Sequence, residues 1–145
     1  MENIWKVKPN INVLNSMNKN TLVEHLGIEI TEIGPNFIKA KMPVDHRTKQ
    51  PMGLLHGGAS VVLSESIGSI ASILILDDPL TESLVGIEIN ATHLKSVRSG
   101  YVYSTTTPIK IGNRLQVWNT EIRNVKGELT CVSKLTTMKT KNKVS

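Results

Sequence analysis

Gln50-Pro51-Met52-Gly53-Leu54-Leu55-His56-Gly57-Gly58 runs without a break into an apolar stretch, Ala59 to Leu76, that carries a single acid, Glu65. A glycine-flanked histidine opens a long helix in this reading. A helix start gathers unpaired backbone N–H groups and the positive end of the macrodipole. Aimed at a carbonyl, those donors stabilise a developing oxyanion. A carboxylate nearby supplies a general base or a nucleophile. The combination points to acyl-transfer chemistry.

Working outward, Asn12 to His25 holds Val13, Leu14, Met17, Leu22 and Val23 at rough helical spacing, with a break near Asn18-Lys19-Asn20. Gly27 to Ile33 and Phe37 to Met42 alternate apolar and polar residues around Gly34-Pro35-Asn36, which predicts a hairpin. After a polar loop from Val44 to Met52, the helix spans Gly57 to about Leu76 and stops before Asp77-Asp78-Pro79. Leu84 to Leu94, Tyr101 to Ile111, Arg114 to Asn124 and Glu128 to Thr137 read as four strands. One long helix among antiparallel strands gives an α+β domain with the helix across one sheet face. Residues 139–145, with Lys139, Lys141 and Lys143, read as a polar, frayed tail.

At 145 residues the chain suits one domain. Aromatics make up 3%, so aliphatic residues must fill the core. A long apolar helix is hard to cover in so small a chain, which favours a homo-oligomer. The net charge is +5 and the pI about 9.4. The cations are scattered, with no basic helix interleaved with aromatics, so the pattern speaks against nucleic acid and suits a small polyphosphate ligand. The serines and Glu65 within the apolar run speak against a membrane span. One cysteine, Cys131, excludes an internal disulfide and a cysteine-rich metal site, and it is expected as a small core filler. No apolar leader follows Met1, so a reducing cytoplasm is the expected compartment.

On the helix, Glu65, Gly68, Ser69 and Ser72 form one small polar stripe at i, i+3, i+4 and i+7. That stripe is either a solvent face or a functional one, and a single charge on it favours function. Glu65 stands eight residues past Gly57, or ~12 Å along the axis. It cannot easily serve a carbonyl held at its own helix start, so a site shared between two subunits is favoured. His56 either caps the helix or fixes the loop against a ligand. Gly57 and Gly58 mark either a tight turn or a close approach of backbone and ligand. Gln50 is a loop amide and His93 a strand-end imidazole. With no second His or Cys at ligand spacing, neither metal nor cofactor is expected.

At Gln50 to Ser69 the pattern resembles the hotdog-fold acyl-CoA thioesterases, in the branch of the phenylacetate-pathway and hydroxybenzoyl-CoA enzymes. Pro43-Val44-Asp45, Arg47 to Pro51, Val85 to Ala91, His93 and Gln116-Val117-Trp118 extend the likeness, which covers about Ile4 to Thr137. The resemblance implies a sheet wrapped around the long helix, paired into dimers or dimers of dimers. It places Glu65 at the catalytic carboxylate position, and Gln50, His56 and Gly57 where the thioester carbonyl is held. Gly58, Ser69 and His93 fall at substrate-contacting positions, and Lys95 to Arg98 in a region that meets the CoA nucleotide. The implied substrate is an aryl-CoA thioester, with 1,4-dihydroxy-2-naphthoyl-CoA the best match. Thr92 and the polar tail depart from the pattern. Broad acyl-CoA hydrolysis, a non-catalytic acyl-CoA-binding module and an acyl carrier protein dehydratase remain as other readings.

Overall fold

The computed structural model describes residues 2–142. Two short helices, α1 (Ile11–Met17) and α2 (Leu22–His25), precede the hairpin β1 (Glu29–Ile33) and β2 (Ile38–Pro43). The long helix α3 (Gly57–Leu74) comes next, then β3 (Glu82–His93), β4 (Tyr101–Ile111), β5 (Leu115–Arg123) and β6 (Leu129–Lys141). The break between α1 and α2 falls at Asn20, whose φ of 61° lies in the left-handed region. All six strands form one antiparallel sheet in the order β1-β2-β4-β5-β6-β3. The sheet with one long helix across its inner face is the hotdog arrangement that the resemblance implies.

Side chains of directly paired residues share a face of the sheet. One such row crosses the whole width: Ile30, Ala40, Ser104, Ile122, Cys131 and finally His93. The first five are buried beneath the helices. The row thereby delivers His93, at the open edge, to the helix-facing side. Cys131 is the core filler expected of it.

Half of α3 is buried on the sheet, so this apolar segment serves as the core helix of the domain. Leu63, Ile67 and Ala71 are fully buried. Gly68 lets the helix approach β6 closely, since a Cβ there would lie 2.6 Å from Leu135 Cδ2. Ser72 is also fully buried. It accepts from Trp118 Nε1 at 2.6 Å and lies 2.8 Å from Thr137 Oγ1. Thr137 in turn donates to Gln116 Oε1 at 3.0 Å. The polar stripe is therefore mostly a sheet-facing seam, and only its Glu65 end is exposed.

The sequence reading ended β6 too early. The strand continues to Lys141, because Lys139 and Lys141 pair with Leu84 and Glu82 of β3. Lys139 also donates its N–H to Arg114 O at 2.7 Å and lies 3.5 Å from Glu82 Oε1. Lys143 lies outside the described residues.

The Ser72 network yields a stability test. Ser72→Ala leaves the buried Trp118 N–H without its acceptor. We expect a loss of about 1–3 kcal/mol in unfolding free energy. Urea titration should show a lower midpoint with an unchanged slope.

Candidate functional site

The site grows from the loop that feeds α3. Thr48 is buried, and its hydroxyl donates to Pro43 O at 2.7 Å. Its own carbonyl accepts the His56 N–H at 2.8 Å. Leu55 N–H donates to Val97 O at 2.8 Å, tying the loop to the segment after β3. Gly53, with φ of 80°, makes the turn between these anchors. Upstream, Asp45 and Arg47 brace the loop at 2.7 Å. The Arg47 hydrogen bond holds the Asp45 carboxyl down at about 2. A depressed carboxyl stabilises the fold above its ordinary pKa, and that contribution is lost as pH falls from about 3.8 towards about 2.

The loop sets His56 as the N-cap of α3, with Nδ1 accepting from the Gly58 N–H at 2.7 Å. An accepting Nδ1 carries no proton, so the neutral ring presents Nε2–H as a donor. Of the two readings for His56, the cap is realised, and the cap fixes the tautomer that faces outward. Neither Gly57 nor Gly58 makes a positive-φ turn. Both are close-approach glycines. A Cβ on Gly57 would meet His93 Nε2 at 2.7 Å, and one on Gly58 would meet the His56 ring at 2.9 Å. Two imidazoles thus sit against the first residues of the helix. Gly58 N–H is spent on the cap, while Gly57 N–H has no acceptor among the described residues.

A cavity of about 380 Å3 opens at this point. Gln50, Gly57, Ser60, His93, Lys95 and Thr130 are among its lining residues. Gln50 Oε1 accepts from the Met52 N–H, which leaves its amide N–H2 group available to a ligand. Four residues singled out from the sequence, Gln50, Gly57, His93 and Lys95, therefore meet around one cavity. Sequence reasoning missed Thr48, whose role is tertiary, and Ser60, which read as one more serine of the apolar run. The Lys95 ammonium lies 2.8 Å from Glu128 Oε2, a partner 33 positions away in sequence. Arg98 is exposed and stands outside the lining. Among the described residues, no group of three or more His, Cys, Asp or Glu side chains is placed to hold a metal.

Glu65 is not at this cavity. It is exposed two turns along α3, and its Oε1 would be 3.3 Å from a Cβ on Gly86. Ser69 lies one turn further on. Gly86 and His93 are both on β3, so Glu65 and Gly57 stand over positions seven residues apart on the same strand. β3 pairs only with β6, and its other edge is open. Val85 and Ile87 there are 45% and 50% exposed.

Comparison with known proteins gives this arrangement a context. The thioesterase superfamily profile matches residues 52–131. The chain is 50% identical over 134 residues to the 1,4-dihydroxy-2-naphthoyl-CoA hydrolase of Escherichia coli K12, covering 92% of this chain and 97% of that protein. It is 44% identical to a proofreading thioesterase of Cronobacter turicensis, over 92% and 96% of the two chains. The crystal structure of a Haemophilus influenzae thioesterase has a TM-score of 0.91 at 48% identity, over 95% of each chain. A Staphylococcus aureus thioesterase, 33% identical, was crystallised as two alanine variants. The glutamate variant has a TM-score of 0.80 over 83% of this chain and 99% of that one. The glutamine variant has a TM-score of 0.78 over 81% and 97%. The two replaced residues are fifteen positions apart, the spacing between Gln50 and Glu65.

The two duties of His56 can be separated. His56→Asn keeps an accepting side chain at the cap and should retain stability. His56→Ala should lose about 0.5–2 kcal/mol, the usual cost of a lost N-cap. Chemical denaturation of the two variants side by side checks this. Equal losses would mean that the cap contributes nothing.

Proposed function

Because the chain belongs to the thioesterase superfamily and is a thioester hydrolase, we propose that it cleaves an aryl-CoA thioester, with 1,4-dihydroxy-2-naphthoyl-CoA the favoured substrate, at a site completed by a second copy of the chain. The substrate reading is supported by the 50% identity to the Escherichia coli enzyme across nearly the whole of both chains. A broader acyl-CoA range is the second reading, favoured by comparable similarity to the proofreading enzyme.

The observation that carries the proposal is the placement of Gly57 against His93 at the end of β3 and of Glu65 against Gly86, seven residues back along the strand. The helix offset is ~12 Å. Pairing the open β3 edge antiparallel with its own copy, centred between Ile89 and Asn90, sets Gly86 of one copy opposite His93 of the other. The partner's Glu65 then stands beside Gly57. The apolar exposure of Val85 and Ile87 supports this edge as the one that is covered.

In that site the thioester carbonyl oxygen lies against Gly57 N–H, at the positive end of α3, with the Gln50 amide and His56 Nε2–H as further donors. Glu65 takes a proton from water as the water oxygen attacks the carbonyl carbon. The C–S bond then breaks, the proton passes to the departing sulfur, and the free acid and CoA leave. Direct attack by Glu65 gives instead a mixed anhydride that water opens, with the same products. Ser69, one turn beyond, is placed to orient the carboxylate or the water. The matching glutamine-to-glutamate spacing in the Staphylococcus thioesterase supports Gln50 and Glu65 as the working pair.

Glu65→Gln should leave fold and assembly intact and lower turnover by about two to four powers of ten, the scale for loss of a general base or nucleophile. Steady-state kinetics on the dihydroxynaphthoyl and benzoyl thioesters measure it, and near-normal kcat in a folded variant would remove Glu65 from the chemistry. A mixture of Glu65→Gln and Gln50→Ala chains should regain activity after subunit exchange, since the hybrid holds one site with both residues intact. Demonstrated exchange with no gain over either parent would place each site within one chain.

A further inference from the structure

Lys95 is the only lysine or arginine among the residues lining the cavity, and it is engaged. Its ammonium lies 2.8 Å from Glu128 Oε2. Glu128 is in turn fixed by the β5–β6 turn. Asn124 Nδ2 donates to its other carboxylate oxygen at 3.1 Å, and Glu128 N–H donates back to Asn124 Oδ1 at 3.0 Å. Hydrogen bonds from Lys95 and then Asn124 hold the Glu128 carboxyl below its ordinary pKa, with further help from the charge of Lys126. The carboxylate is therefore ionised at neutral pH and anchored to the turn through Asn124. Lys95 is anchored too, with Leu94 N–H donating to Thr130 O at 2.8 Å and Lys95 N–H reaching the same oxygen at 3.3 Å. Both side chains are about half exposed, at 48% and 41%.

We propose that Glu128 is a built-in competitor for the phosphates of the substrate: it holds Lys95 at the cavity mouth until an anionic nucleotide displaces it, and so sets the affinity for the CoA half of the thioester. This rests on the acyl-CoA reading above. A half-exposed ion pair is weak enough to exchange. A phosphate offers Lys95 a charge-assisted hydrogen bond in its place. The same phosphate then faces the Glu128 carboxylate, pinned close by through Asn124, so the repulsion persists in the complex. Glu128 thus both pre-positions Lys95 and opposes the ligand that Lys95 attracts. A neutral acyl-pantetheine arm meets neither effect.

The test is Glu128→Gln, which keeps an acceptor for Asn124 and removes the charge. At low ionic strength KM for a full-length aryl-CoA thioester should fall about two- to fivefold with kcat unchanged, the scale of an exposed pair. KM for the N-acetylcysteamine thioester of the same acid should not move. Added salt should shrink the difference, since the Debye length is ~10 Å at 0.1 M. In a Lys95→Met background the same substitution should have a smaller effect, because the two residues are coupled. Adenosine 3′,5′-bisphosphate, titrated calorimetrically, should bind the variant more tightly by a similar factor. An unchanged or raised KM for the full-length thioester, or an equal fall on the truncated one, overturns the proposal. Should the wild type turn over no CoA thioester, the substrate reading fails by itself, and tighter or unchanged bisphosphate binding still decides the part of Glu128.

Discussion

The approach of α3 to the sheet is the constraint on which the rest of the structure depends. Gly68 brings the helix close to Leu135, and Gly57 brings its first turn against His93. A side chain at either position would collide with Leu135 Cδ2 or His93 Nε2, and that neighbour would have to move aside. At Gly57 the collision would displace the His93 ring and crowd the backbone N–H at the cavity. Packing and chemistry are therefore one design problem. The small residues that seat the helix also strip its N-terminus of side chains, so a ligand can reach backbone. Interiors resist such shifts because they are packed to crystal density.

A buried seam of hydroxyls and amides would normally threaten stability. Here Ser72, Trp118, Thr137 and Gln116 satisfy one another. Their hydrogen bonds are directional, so they fix the rotation of α3 about its axis as well as its distance from the sheet. That rotation sends Ser72 inward and leaves Glu65, two turns earlier, at the open margin over β3. A purely aliphatic seam would tolerate rotation more easily, because volume-conserving apolar contacts are less particular. The polar network thus aims the carboxylate.

The helix, the hairpin and the four later strands were legible because their apolar periods are clean and Gly-Pro, Ser-Gly and Lys-Gly pairs punctuate them. Glu65 was legible for a related reason, as a lone charge on an apolar run. The end of β6 was not, since its last residues are polar and it is tertiary pairing, mainly with β3, that holds them extended. Thr48 was hidden because its contacts, a hydroxyl to Pro43 O and a carbonyl to His56 N–H, are made by the folded loop and leave no spacing signal. The Lys95–Glu128 pair was hidden because the strand order, not the spacing, brings it together. His56 illustrates the middle case. Its two readings were visible in the sequence, and the cap geometry shows that they are compatible, since the nitrogen spent on the helix is not the one offered outward.

The role proposed for Glu65 would tie assembly to chemistry. In one chain Glu65 is an exposed carboxylate with no hydrogen-bond or ion-pair partner among the described residues. By itself it stands about two turns from the donors at its own helix start, too far to act on a carbonyl held there. Covering the β3 edge with a second copy would remove water from the carboxylate and deliver it to the donors at the other chain's helix start. The same step would bury Val85 and Ile87, so the hydrophobic gain of pairing would offset the cost of desolvating the acid. On this reading neither half of the site is costly to keep in the isolated chain. The strained and reactive combination, a desolvated base facing an oxyanion hole, would exist only where two chains meet.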